Sequence, residues 1–273
     1  MRYLKMNGCG NDFVILDSRA GGALMLAPDE VRAIASRKEG IGCDQVIALE
    51  PSLRGDVFMR IWNSDGEEVG ACGNGARAVG WILMEEGGEK KRIETVAGML
   101  AAERRGSTEV MVDMGSPLLK WEEIPLARAM DTVRLDYAVE AAGVKLEGPG
   151  AANMGNPHAV FFVENVADLP VTWLGPRVER DPLFPEGVNA GFAEVRGRNL
   201  IRLRVWERGA GLTKACGTGA CAAVVAAHRA GLVDRKADVV VDGGVLAIDW
   251  NDKDDRVRMT GPVELERVGE WTR

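Results

Sequence analysis

Residues 60–87 read RIWNSDGEEVGACGNGARAVGWILMEEG, and residues 204–231 read RVWERGAGLTKACGTGACAAVVAAHRAG. The second stretch lies on the first at a constant offset of 144, with no gap. Arg60 falls on Arg204, Trp62 on Trp206, Cys72 on Cys216, Gly73 on Gly217, Gly75 on Gly219 and Gly87 on Gly231. Each copy is a short apolar run, a polar loop, and then Ala-Cys-Gly-x-Gly-Ala opening a long helix of small and apolar residues. Internal repetition constrains architecture before any single element does, and a period this long with two copies specifies two similar lobes rather than a solenoid.

The repeat extends outward from these blocks. Gly155-Asn-Pro-His-Ala-Val160 falls on Gly10-Asn-Asp-Phe-Val-Ile15 at an offset of 145, and Gly244-Val-Leu-Ala247 on Gly98-Met-Leu-Ala101 at 146. Met259-Thr-Gly-Pro262 resembles Met114-Gly-Ser-Pro117. The expected lobes are therefore 1–117 with 263–273, and 118–262. In the first copy, alternation and glycine punctuation place strands at 3–6, 13–16, 46–49 and 56–62, then at 91–96, 98–104 and 109–113. A helix starts at Pro28 and runs to about Lys38, ended by Gly40. Helix 72–86 is small or apolar nearly all round, so it belongs inside its lobe. The tail 263–268 alternates apolar and charged residues and is expected to complete the first lobe's sheet. The fold class is α+β: two pseudo-symmetric lobes, each a curved, mostly antiparallel sheet or barrel around one central buried helix.

Composition narrows the function. The chain has 273 residues, 46% of them apolar and 27% charged, as in globular proteins. A net charge of −7 without a basic cluster argues against nucleic acid. No apolar run is long enough to span a bilayer, and the start MRYLKMNGCGNDF turns polar too early for a signal peptide. Five cysteines, an odd number, fit free thiols in a reducing compartment, so a cytoplasmic location is expected. The sequence does not fix the oligomeric state; a homodimer is one assembly it allows. Two histidines and no Cys-x-x-Cys argue against a metal site, and GNGARA and GTGACA lack the rest of a dinucleotide or P-loop fingerprint, so no cofactor is implied.

The chemistry centres on Cys72 and Cys216. Each stands where a loop becomes a helix, and the first N–H groups of a helix have no internal partner and carry partial positive charge. A thiolate there is expected to have a lowered pKa, and the glycines leave the N–H groups open to an anion such as a carboxylate. Two such helix starts aimed at one molecule would put a sulfur on each face of a carbon. That suits a reaction in which one sulfur removes a proton and the other returns one on the opposite side. A single cysteine in an alanine-rich helix is usually a core residue. The matched pair reverses that reading, whereas Cys9, Cys43 and Cys221 lack a counterpart and are expected to be packing residues.

With KMNGCGNDFV, GIGCDQ, WNSDGEEVGACGNGAR, MGNPHAV, GVNAGF and VWERGAGLTKACGTGACA in hand, the chain closely resembles the diaminopimelate epimerase family, pyridoxal-phosphate-independent amino-acid epimerases. The resemblance implies interconversion of LL- and meso-diaminopimelate, on the way to lysine and peptidoglycan. It implies Cys72 and Cys216 as base and acid, with His158 and Glu207 tuning them. It also implies that the N–H groups of Gly73, Asn74, Gly217 and Thr218 hold the reacting carboxylate. Asn11, Gln45, Asn63, Asn156, Asn189, Glu207 and Arg208 match the family's substrate contacts. Amides suit a zwitterion because they donate and accept, and an arginine can grip a carboxylate with two parallel bonds. His228, late in the second helix, is expected to be a surface or helix-dipole residue. Asn7, Cys9, Cys43 and Lys214 depart from the family's usual residues without touching these positions. The competing readings are a related racemase on the same fold, a non-catalytic amino-acid-binding protein, and a thiol redox protein.

Overall fold

The computed structural model describes residues 1–70 and 72–272. The chain divides into two units, Met1–Asp113 together with the C-terminal stretch from Thr260, and Met114–Met259.

In the first unit, β1 (Arg2–Gly8) and β2 (Asn11–Asp17) form an antiparallel hairpin. Its two-residue turn is Cys9-Gly10, with φ of 61° and 81°. Positive φ at both positions matches the twist of the flanking strands, and glycine supplies one of the two without strain. Helix α1 (Pro28–Ala35) then crosses to β3 (Gln45–Glu50), which pairs parallel with β2. The helix stops three residues short of the sequence expectation, because the N–H groups of Ile41 and Gly42 both return to the carbonyl of Ile34 and close the end early. Strand β4 (Val57–Asn63) is antiparallel to β3, and the short β5 (Glu68–Val69) lies along one end of β4. Helix α2 (Gly73–Glu85) leads to β6 (Lys90–Thr95), which pairs parallel with the other end of β4. Strands β7 (Gly98–Arg104) and β8 (Glu109–Asp113) follow antiparallel. Parallel neighbours need a crossover between them, and the two helices supply the two crossovers.

The second unit repeats the series. After a hairpin, β9 (Ala138–Ala141) and β10 (Val144–Glu147), come β11 (Gly150–Asn153) and β12 (Pro157–Phe162), antiparallel. Helix α3 (Val171–Glu179) crosses to β13 (Asn189–Gly197), parallel to β12. Strand β14 (Leu200–Glu207) is antiparallel to β13, with the short β15 (Gly211–Thr213) beside it. Helix α4 (Gly217–Arg229) crosses to β16 (Lys236–Val241), parallel to β14, and β17 (Gly244–Trp250) folds back on β16. Strand β18 (Val257–Pro262) carries the chain out of this unit, and β19 (Glu264–Glu270) pairs with β1. The tail thus completes the first unit's sheet, as its alternation implied. The hairpin β9–β10, with the stretch around it, has no counterpart in the first unit.

Helix α4 lies against β11, β12, β13, β14, β16 and β17, and α2 against β1, β6, β7 and β8, so each is the core helix of its own unit. Most residues of both helices are buried. Small side chains make the close approach feasible: a Cβ on Gly80 would sit 2.6 Å from that of Ala102 on β7. Gly175 in α3 is tighter still, since a Cβ there would meet Trp206 Cγ at 2.3 Å. Gly175→Ala is therefore expected to destabilise the protein by about 3 kcal/mol through overpacking. Urea unfolding checks this, as a lower midpoint at unchanged slope. Among the described residues no helix is long and apolar enough to cross a membrane.

Candidate active site

Cys72 is the N-cap of α2, with an extended backbone (φ −146°, ψ 113°), and its Sγ accepts the Gly75 N–H at 3.3 Å. Cys216 is the N-cap of α4 (φ −117°, ψ 108°), and its Sγ accepts the Gly219 N–H at 3.4 Å. N-caps are usually Ser, Thr, Asp or Asn, whose oxygen accepts such a bond well. Sulfur accepts poorly as a thiol and better as a thiolate, so the position costs helix stability and keeps a reactive atom at the helix end. Glycine at the third helical position leaves the sulfur room. A Cβ on Gly219 would lie 3.2 Å from Cys216 Sγ and 3.0 Å from Val205 Cγ2, and one on Gly75 would lie 2.8 Å from Ile47 Cδ1. Gly73 and Asn74, and likewise Gly217 and Thr218, occupy the first two helical positions, where backbone N–H groups lack partners within the helix.

In the first unit the predicted amides form two pairs, Gln45 with Asn63 and Asn11 with Asn74. The hairpin turn places Asn11 at the head of β2, and the parallel pairing sets Gln45 beside Phe13 at the head of β3. Gln45 faces Asn63 across the β3–β4 ladder, and its Nε2 donates to Asn63 Oδ1 at 2.9 Å. Gln45 Oε1 is buried and without a hydrogen-bond partner among the described residues. Asn74 Nδ2 donates to Asn11 Oδ1 at 3.3 Å. Cys72 itself is half-buried.

In the second unit the residues form two connected groups. Cys216 Sγ is 3.5 Å from Thr218 Oγ1, with Glu207 beside it. The Glu207 carboxylate accepts the Thr213 hydroxyl. His158 on β12 is fully buried, and its Nε2 is 3.0 Å from Asn156 Oδ1. With that oxygen accepting, Nε2 carries the hydrogen and Nδ1, buried and unpartnered among the described residues, presents a lone pair. Asn189 pairs with His158 in the strand register; its Nδ2 donates to the Pro157 carbonyl at 2.9 Å, and its Oδ1 accepts the Arg208 N–H at 3.0 Å. The Arg208 guanidinium donates to the Glu186 carbonyl at 2.7 Å.

The electrostatics correct one expectation. Cys216 is raised well above the ordinary thiol value, first by burial and then by the Glu207 carboxylate. The Gly219 N–H and the Thr218 hydroxyl pull the other way and lose. The helix end was expected to lower this thiol, but a fully buried sulfur with a carboxylate neighbour faces a larger desolvation and repulsion cost than one helix start offsets. Burial, with the Arg208 charge second, pushes His158 down to about 3, so its ring is neutral near pH 7.

Cys9, Cys43 and Cys221 are buried, as packing residues should be. His228 is half-buried, with Nδ1 3.1 Å from the Val233 carbonyl and its ring edge-on to Trp250 at 5.6 Å. Two residues escaped the sequence reading. Arg77, fully buried in α2, donates to Asn74 Oδ1 at 2.9 Å, and Asp44 accepts from Asn11 Nδ2 at 3.0 Å. The signal for Arg77 was available: it is the only charged residue between Cys72 and Glu85 in an otherwise small and apolar helix.

The sequence model described as diaminopimelate epimerase matches residues 3–120 and 150–266. The chain belongs to the diaminopimelate epimerase family. The stretch between the two matched blocks is the one around β9–β10 that has no counterpart in the first unit. Curated relatives carrying the same name include one from Phenylobacterium zucineum (strain HLK1), 54% identical over 98% of this chain and 96% of its own. Another, from Caulobacter sp. (strain K31), is 52% identical over the same shares. Solved structures sharing the fold include a hydroxyproline epimerase from Agrobacterium vitis, at TM-score 0.67 and 16% identity over 98% of this chain and 90% of that one. A phenazine biosynthesis protein of the PhzF family from Enterococcus faecalis reaches TM-score 0.70 at 13% identity, over 100% and 99%. At such identities these neighbours speak for the α+β fold alone. The diaminopimelate epimerase family is one of isomerases, and no other family is needed to account for the sequence.

Proposed function

We propose that this chain is a diaminopimelate epimerase that interconverts the LL and meso isomers by moving a proton between an α-carbon and two cysteines. The observation that carries the reading is the matched pair of sulfur N-caps, Cys72 and Cys216, at equivalent helix starts of a duplicated chain. In one direction a cysteine thiolate takes the α-proton and becomes a thiol, while the other cysteine gives its proton to the opposite face and becomes a thiolate. In the reverse direction the roles exchange. Atoms and charge balance without any other reactant.

Burial and Glu207 favour the protonated form of Cys216, which supports it as the acid when the cycle starts. When that sulfur is ionised it is a stronger base than an ordinary thiolate, which helps against an α-proton of very low acidity. The N–H groups of Gly73, Asn74, Gly217 and Thr218 would hold the reacting carboxylate and the negative charge that builds next to it. Neutral His158 and Glu207 would tune the sulfurs. Asn11, Gln45, Asn63, Asn156, Asn189, Glu207 and Arg208 would bind the ammonium and carboxylate groups of the substrate. In this reading residues 1–117 with 263–273 bring one sulfur and 118–262 the other. Five free thiols support a reducing, cytoplasmic setting.

Exchange of the α-hydrogen in heavy water, with LL-diaminopimelate, meso-diaminopimelate and proline offered separately, tests the assignment. Exchange with the two diaminopimelate isomers and none with proline is expected; the reverse would make the chain a different racemase. Binding without exchange would make it a non-catalytic receptor. Arg208→Ala is expected to raise KM by about tenfold or more, from the loss of a charged bond to the distal carboxylate, with kcat changed less. Unchanged steady-state kinetics in that variant would remove Arg208 from the site.

A further inference from the structure

The first unit contains a hydrogen-bonded chain whose direction is fixed at both ends by chemistry. Arg77 Nη1 donates to Asn74 Oδ1 at 2.9 Å, Asn74 Nδ2 donates to Asn11 Oδ1 at 3.3 Å, and Asn11 Nδ2 donates to Asp44 Oδ2 at 3.0 Å. A carboxamide alone can sit either way round, since its oxygen and nitrogen are nearly the same size. Here a guanidinium, which only donates, holds one end, and a carboxylate, which only accepts, holds the other. Neither amide between them can turn over without setting donor against donor or acceptor against acceptor.

Both ends are built in. Arg77 is fully buried, and a Cβ on Gly8 would come within 3.2 Å of its Nη2, so a glycine borders the guanidinium. A buried guanidinium costs several kcal/mol in desolvation unless it is well bonded, and replacing it by an apolar residue is often neutral or stabilising. Its retention in a helix of small and apolar side chains therefore calls for a use beyond stability. Asp44 is held in turn, by Arg37 Nη2 at 2.7 Å and the Asp12 N–H at 3.1 Å. The second copy has no such arrangement, because Cys221 stands where Arg77 stands, and Thr218 where Asn74 stands.

We infer that Arg77, acting through Asn74, and Asp44 are positioning residues that lock the side-chain amide of Asn11 in one orientation for the substrate. The inference rests on the proposed role of Asn11 as a substrate contact. With the chain locked, the Asn11 amide keeps its nitrogen and its oxygen on fixed sides for a zwitterion. With either end released, one of its two orientations presents the wrong group. The expected signature is weaker binding with the proton transfer itself little changed.

The test uses the α-hydrogen exchange assay on the full-length chain, with kcat and KM for LL-diaminopimelate measured separately and urea unfolding run alongside. Asp44→Asn replaces the acceptor-only end by an amide of the same shape, and Arg77→Met removes the donor at similar bulk. Each is expected to raise KM by about tenfold or more with kcat within about threefold, the loss of one or two oriented bonds. Arg77→Lys keeps a donor-only end and is expected to recover most of the loss. A purely structural role would lower the unfolding midpoint and leave KM alone, and that result in Asp44→Asn would overturn the inference. Should the Arg77 variants fail to fold, Asp44→Asn, at a partly exposed side chain, decides alone. Asn11→Ala separates the two levels. If it raises KM while Asp44→Asn and Arg77→Met do not, the positioning role fails and the contact stands. If it leaves KM unchanged, the contact fails and the positioning role falls with it.

Discussion

Cys72→Ala and Cys216→Ala are each expected to reduce epimerisation of diaminopimelate by about 10⁴-fold or more, the upper range for losing a general acid or base with no substitute in reach. The two losses should not add. A proton transfer that needs both partners is already broken when one is gone, and the double variant should be no worse than the poorer single one. Folding should survive. Cys72 gives α2 only a sulfur cap, and alanine in its place costs about 1 kcal/mol or less. Cys216 is buried, but its side chain is small, so the cavity left by alanine is small too. Activity and urea unfolding measured on the same samples separate these effects. A folded Cys216→Ala enzyme that still epimerises would remove that sulfur from the chemistry.

The second large effect concerns acid stability and His158. Its folded value, about 3, lies below the ordinary 6.5, chiefly because the ring is buried and secondly because Arg208 is near. Between those values the unfolded chain takes up a proton that the folded chain refuses. The contribution is complete above pH 6.5 and is lost as pH falls toward 3, with a limiting slope of about 1.4 kcal/mol per pH unit. From pH 6.5 to 4.5, before most carboxylates titrate, this amounts to about 2–3 kcal/mol. His158→Phe puts at this position the residue that Phe13 supplies in the first copy. Its unfolding free energy should vary less with pH across that window, by about one proton. A variant with the parent's acid slope would mean that His158 titrates normally in the folded protein. Below pH 4 Asp12 takes over, since Arg37 and Lys5 hold its carboxyl below the usual range despite its burial.

Much of the α+β fold was legible because the sequence states it twice. One ungapped offset of 144 joined Cys72 to Cys216 and the two core helices to each other, and the helices have the same length and the same cap in the structure. Short, regular alternation placed the strands around them and sent the tail to β1. The hairpin β9–β10 was missed because it has no partner copy and its strands, four residues each, are too short to mark a period. The end of α1 was missed because Gly40 suggested a stop where backbone bonds to Ile34 had already made one.

Within the candidate site, residue types and spacings identified groups that the structure joins: Gln45 with Asn63, Asn11 with Asn74, His158 with Asn156, Asn189 with Arg208. The shift of the Cys216 thiol runs opposite to the expected lowering, since a helix start is visible in sequence and burial beside Glu207 is not. Asp44 was overlooked for a related reason, and Arg77 despite being the one charge in its helix between Cys72 and Glu85. Which atom of an amide each of them bonds is a property of packing rather than of pattern.

The central claim is that two thiols work on opposite faces of one carbon, and a single-turnover reaction with LL-diaminopimelate in heavy water tests it most directly. The meso product should carry deuterium at the inverted carbon, delivered by the second sulfur, while recovered LL substrate remains protiated at early times. Meso product that keeps the original hydrogen, with no solvent deuterium, would mean that one group both removes and returns the proton, and would contradict the account.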